Sequence, residues 1–106
     1  LTVARSNLAG QSSSSNGYSS GGQPTPSNFQ GNVIDKFPFS SDSNATDVGD
    51  ITVARRQLSG TSSTISGYSA GGDSNVIDKF PFASDGNATD VGDLTGANSY
   101  GAGVQY

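Results

Sequence analysis

The residues with chemical potential come in matched pairs. Arg5 and Arg55 each follow Thr-Val-Ala, and Tyr18 and Tyr68 each sit in Gly-Tyr-Ser-x-Gly-Gly. A guanidinium beside an aromatic ring suits an anion or a sugar, so Arg5, Arg55, Tyr18 and Tyr68 are the candidate ligand-binding residues. The alternative is that each Arg pairs with an Asp of the adjoining strand, Asp50 or Asp93. Two polar clusters also match: Asp42, Asn44, Asp47 and Asp50, then Asp85, Asn87, Asp90 and Asp93. Their oxygens are of the kind calcium takes, which makes Asp42, Asn44, Asp47, Asp85, Asn87 and Asp90 candidate metal ligands. The spacing is not that of a calcium loop with ligands at alternate positions around a central Gly. Asx turns capping a hairpin account for the same residues.

Other chemistry is excluded by composition. With no His and no Cys, the usual nucleophilic triads and zinc sites have no components. A carboxylate acting as a glycosidase acid needs an apolar pocket to raise its pKa. The acidic clusters have no bulky apolar neighbours in sequence. The expectation is a non-enzymatic protein without a cofactor, calcium excepted. The triplets Asn44-Ala45-Thr46 and Asn87-Ala88-Thr89 are glycosylation sequons, meaningful only in a glycosylating compartment.

These pairs belong to a larger duplication. Asn-Val-Ile-Asp-Lys-Phe-Pro-Phe stands at Asn32–Phe39 and again at Asn75–Phe82, and Asn-Ala-Thr-Asp-Val-Gly-Asp at Asn44–Asp50 and Asn87–Asp93. Repeat one covers residues 1–50 and repeat two residues 51–93. Residues 94–106 begin like a third copy at Leu94-Thr95 and then diverge. Repeat one carries Gln23–Gly31 where repeat two has only Asp73-Ser74. Such length differences fall in surface loops, because closure entropy grows slowly with length. A tandem unit cannot bury its own apolar face, so its stability comes from neighbouring units.

Within a repeat, every segment reads as strand. Leu58–Ser63 and Thr64–Ala70 hold too many Gly and Ser for helix. Val76–Phe82 reads as a strand with apolar residues on both faces, ending or lying at an edge at Pro81, which lacks a ladder donor. The charges Asp35, Lys36, Asp78 and Lys79 read as a solvated face or a pair between repeats. Ala83–Asn87 is turn chemistry, and Thr89–Leu94 is a last short strand. Four strands in a meander, repeated at this period, predict an all-β protein with two four-stranded antiparallel propeller blades per chain.

Hydrophobic residues make up 31% of the chain, low for a globular domain; on composition alone it would read as a linker. The spaced apolar repeats argue for a folded unit instead. The net charge of −4 disfavours a nucleic-acid partner. No apolar run is long enough for a membrane helix. The start at Leu1 fits a processed product or a segment of something longer.

The order of motifs resembles Kelch repeats. Ala54-Arg55 stands for the Arg-led first strand, Gly67–Gly72 for the aromatic and Gly-Gly, and Asn75–Phe80 for the third strand. Thr89–Thr95 stands for the fourth. The fourth-strand Trp is absent, with Val48 and Val91 in its neighbourhood, and Phe37 and Phe80 replace the third-strand Tyr. Smaller residues there imply a thinner interface between blades. Ser40–Asp47 is also similar to a sialidase-type Asp box, which occupies the turn between third and fourth strands.

The resemblance, to Kelch-like proteins of aquatic phages and environmental viral sequences, implies a propeller completed by oligomerisation. Propellers close with about four to eight blades, and a trimer giving six is the expectation. Arg5 and Arg55 would then line one mouth of the ring. The implied role is a virion or extracellular structural and binding module, of decoration or tail-fibre type, that contacts surface glycans or other virion proteins. The alternative is a subunit of a self-assembling filament or coat. Residues 94–106, with Tyr100, Val104 and Tyr106 as anchors, are expected to dock on a neighbouring subunit.

Overall fold

A computed structural model describes residues 1–24 and 31–98. Among these the fold is all-β, with ten strands and no helix. They are β1 (Arg5–Ser6), β2 (Ala9–Ser12), β3 (Asn16–Ser20), β4 (Gln23–Pro24), β5 (Val33–Pro38), β6 (Thr46–Asp50), β7 (Leu58–Ser62), β8 (Ser66–Gly71), β9 (Ser74–Pro81) and β10 (Thr89–Asn98). Repeat one forms a four-stranded antiparallel meander in the order β2-β3-β5-β6. Repeat two forms the same meander as β7-β8-β9-β10, and β1 pairs with β4 in a short ribbon. Both third strands stop at their prolines, Pro38 and Pro81, where the missing N–H would break the ladder.

Registers match between the two sheets. Tyr18 stands opposite Gln11 and Lys36, and Tyr68 opposite Thr61 and Lys79. Because side chains alternate across a strand, Tyr18, Ser20 and Ile34 share one face of the first sheet. Gly17, Ser19, Asp35 and Phe37 share the other. In the second sheet, Gly67, Ser69, Asp78 and Phe80 correspond to this second set. Gly17 lies under the ring of Phe37 and Gly67 under that of Phe80; a Cβ at either glycine would sit 2.3 or 2.4 Å from the ring carbon. The missing side chain makes room for the cross-strand ring.

The two sheets pack face to face, the Tyr18 face of the first on the Phe80 face of the second. The core at this junction comprises Ala9, Tyr18, Ile34, Ile51, Leu58, Phe80 and Ala88, with Val48 and Phe82 packed against it. The first strands, β2 and β7, touch backbone to backbone. A Cβ on Gly60 would lie 2.3 Å from the Gly10 carbonyl oxygen, so glycine is required at that crossing. Strand β10 continues beyond its repeat-one counterpart and pairs its Asn98 with Ser74 of its own sheet. The part of residues 94–106 that is described therefore lies on its own chain. Tyr100, Val104 and Tyr106 fall outside the described residues.

Candidate functional site

The two arginines do not line an open mouth. Arg5 and Arg55 are 9% and 1% exposed, and the carboxylates they pair with, Asp35 and Asp78, are fully buried. Arg55 Nη1 meets Asp78 Oδ2 at 3.0 Å, and Arg5 Nη2 meets Asp35 Oδ2 at 3.1 Å. The threonine three residues before each Arg completes the clamp. Thr52 donates its N–H to Asp78 Oδ2 at 2.9 Å and its hydroxyl to Oδ1 at 2.5 Å; Thr2 treats Asp35 in the same way at 2.9 and 2.6 Å. Arg55 also donates to the carbonyls of Gly71, Val53 and Ser69. Arg5 donates to Val33 and Ser19, and its buried Nε has no partner among the described residues. Burial lowers the Arg5 pKa, with Asp35 and then Asp47 opposing that shift.

This corrects two expectations. The arginines pair with the third-strand aspartates, not with Asp50 or Asp93, and Asp35 and Asp78 do not belong to a solvated face. The reason is physical: a carboxylate wholly removed from water must be met by a cation and by further donors. The signal was available, because Thr-x-x-Arg and Val-Ile-Asp are both repeated unchanged.

The other charged expectation holds in one of its forms. Lys36 Nζ reaches across to Asp85 of repeat two at 2.7 Å, an exposed pair between repeats. That hydrogen bond raises the Lys36 pKa.

The acidic clusters scatter instead of converging. Asp47 and Asp90 each accept the N–H two residues on, from Gly49 at 3.2 Å and Gly92 at 3.1 Å, as Asx turns do. Asn87 Oδ1 accepts the Asp50 N–H at 3.0 Å from the other repeat, and the Ala88 N–H donates to the Asp50 carbonyl. Asp42 and Asn44 are exposed. Among the described residues, no three acidic, His or Cys side chains group so as to hold a metal ion. Asp85, Asn87 and their neighbours instead latch one repeat to the other.

Tyr18 and Tyr68, each within Gly-Tyr-Ser, have different surroundings. Tyr18 is 4% exposed. Its ring stacks on Phe82 at 4.9 Å between centroids and tilts against Phe80 at 5.4 Å. Around it, Gln11 Nε2 donates to Ser20 Oγ, Ser69 Oγ and the Tyr68 carbonyl at 2.8–2.9 Å, and Ser20 and Ser69 hydroxyls meet at 2.7 Å. Tyr68 lies on the opposite face of the second sheet, which no sheet covers among the described residues, and is half-buried. At the other end, Phe37 and Phe39 are 39% and 55% exposed. They border a groove of about 480 Å³ that Gly10, Gly17 and Ser19 also line.

The geometry defines an all-β repeat protein whose two antiparallel meanders meet through unlike faces, with the complementary faces open at its ends. The chain matches no family model, and no curated protein is significantly similar to it.

Proposed function

We propose that the chain is a non-enzymatic structural and binding module that assembles with copies of itself into a propeller. Two blades come from each chain, and a trimer closes the ring at six. One observation carries this reading. The contact between the two sheets is head to tail, and each end of the pair displays the half-contact that the other end lacks. A heterologous contact of this kind generates a ring when its rotation closes and a filament when it does not. The motif order supports the propeller form, as does the close crossing of the glycine-bearing first strands at Gly10 and Gly60. The Kelch-like motifs also support the biological setting, a virion or extracellular surface on which the assembled ring contacts glycans. In this reading Arg5 and Arg55 stabilise each blade and leave recognition to exposed loop residues.

Native mass spectrometry with a glycan array tests the proposal. Expected are a discrete assembly, with a trimer dominant, and retention on a subset of glycans. A monodisperse monomer with no glycan signal would overturn it. Electron microscopy then separates rings from the filament or coat alternative.

A further inference from the structure

We propose that the groove bordered by Phe37 and Phe39 is the seat for Tyr68 of a second copy of this chain, and that Lys79 and Asp42 form an ion pair across the same joint. The proposal rests on the self-assembly reading above and adds the residues that make the contact.

The pattern of burial is the first argument. On one face, Tyr18 and Ile34 are 4% and 0% exposed and Val48 packs on the core. Their repeat-two copies are more open: Tyr68 and Ile77 are half-buried and Val91 is 51% exposed. On the other face the order reverses. Phe80 and Ala88 are buried in repeat two, while Phe37 is exposed and Ala45 half-buried in repeat one. Each end of the chain thus lacks the neighbour that the other end offers.

The empty seat already has the shape of the filled one. Phe80 and Phe82, which hold Tyr18, lie 5.9 Å apart with rings at 77°. Phe37 and Phe39 lie 6.2 Å apart with rings at 73°. No rearrangement is needed to receive a tyrosine, so little ordering cost opposes the contact.

Polar and backbone contacts extend the copy. Lys36 pairs with Asp85 within the chain; the repeat equivalents are Lys79 and Asp42, at opposite ends. The Asp50 latch to Asn87 and Ala88 becomes Asp93 of one copy on Asn44 and Ala45 of the next. One element is not copied. Thr61 and Ala70 stand where repeat one has Gln11 and Ser20, so the joint between copies lacks that buried hydrogen-bond network and is weaker than the joint within a chain.

Sedimentation velocity on the full chain across a concentration series is the test. Five variants accompany it: Gly10→Ala, Tyr68→Ala, the single charge reversals Asp42→Lys and Lys79→Asp, and the two reversals combined. A Cβ on Gly10 meets nothing nearer than the Tyr18 carbonyl oxygen at 3.9 Å within the chain. At the joint it would run into the Gly60 backbone of the next copy, as a Cβ on Gly60 would meet Gly10. Gly10→Ala and Tyr68→Ala are expected to keep the wild-type circular dichroism and to weaken association about ten-fold or more, as truncation of an anchor does. Each charge reversal should weaken association, and the double exchange should restore it. A wild-type oligomer unchanged by Gly10→Ala and Tyr68→Ala would overturn this joint and leave self-assembly standing. A wild-type monomer at every concentration would overturn both. A glycan or peptide that binds the groove without any change in mass would assign it to another occupant and overturn the proposal.

Discussion

Phe37 and Phe80 occupy the same place in the same eight-residue string, each with its ring over the glycine of the neighbouring strand. One is 39% exposed and the other 2%. The difference comes entirely from what stands next to each sheet. Among the described residues, the first sheet has a neighbouring sheet on its Tyr18 side only, and the second on its Phe80 side only. A duplicated sequence therefore encodes an interface, not a burial pattern, and the number of copies decides how many interfaces are filled. The same comparison separates residues that stabilise a sheet from residues that join sheets. The Thr-Arg-Asp clamp is formed in both repeats whether or not a neighbour is present. The aromatic seat is formed in both but filled in one.

The clamp offers the largest way to break this equivalence. Asp78→Asn leaves Arg55 charged and buried, and loss of one partner of such a pair costs about 3–5 kcal/mol. That is a large share of a small domain's stability. Asp35→Asn is expected to cost less, because Arg5 makes fewer hydrogen bonds and already has an unpartnered Nε. Urea unfolding of the two variants checks the order, and an equal or larger loss for Asp35→Asn would contradict it. Next in size is the aromatic seat. Phe80→Ala should destabilise by about 3 kcal/mol or more, as for a buried Phe. Phe37→Ala should change the stability of the isolated chain far less and should weaken self-association instead. Equal losses of folding stability would show that the two environments do not differ in the way the burial implies.

Much of the secondary structure was legible in the amino-acid sequence. Gly- and Ser-rich segments excluded helix, and Pro81 pointed to a strand end or an edge, of which the structure shows the strand end. Two parts of the site were not legible. The first was the partner of each arginine. Val-Ile-Asp-Lys-Phe reads as a strand with apolar residues on both faces and its charges on a solvated face or between repeats, and nothing local says that the aspartate is buried beneath Thr-Val-Ala-Arg. Only the joint repetition of the two motifs carried that information. The second was the nature of the joint. The absence of Trp suggested a thin interface, yet Tyr18 fills the space by stacking on Phe82 and tilting against Phe80, whose ring has room over the glycine at Gly67. Which copy of each identical string is covered cannot be read from the string at all.

The comparison can be sharpened as well as broken. Thr61→Gln with Ala70→Ser gives the open end of repeat two the side chains that Gln11 and Ser20 supply within the chain. On the proposed next copy their acceptors would be Ser19 and the Tyr18 carbonyl, the equivalents of Ser69 and the Tyr68 carbonyl that Gln11 uses. At about 0.5–1.5 kcal/mol for each net hydrogen bond, self-association should tighten by roughly ten-fold. Sedimentation of the double variant measures this, and no tightening would mean that the joint between copies does not repeat the one within the chain.

The smallest expected effect lies in the tyrosine that is already seated. Burial pushes the Tyr18 hydroxyl above its ordinary pKa of 10.0, with Lys36 and a hydrogen bond from Ser13 pulling part of the way back. The folded chain thus holds this proton more tightly than the unfolded chain does. The associated stability is fully present below pH 10 and falls as pH rises from there through the raised folded value. Lys36, whose pKa is raised by Asp85, contributes with the same sign, so the wild-type profile mixes the two. Tyr18→Phe removes only the tyrosine part. Urea midpoints followed from pH 9 to about pH 11 should therefore decline less steeply in Tyr18→Phe than in wild type. Parallel declines would mean that the hydroxyl of Tyr18 reaches water as freely in the folded chain as in the unfolded one, and that the seat closes around the ring alone.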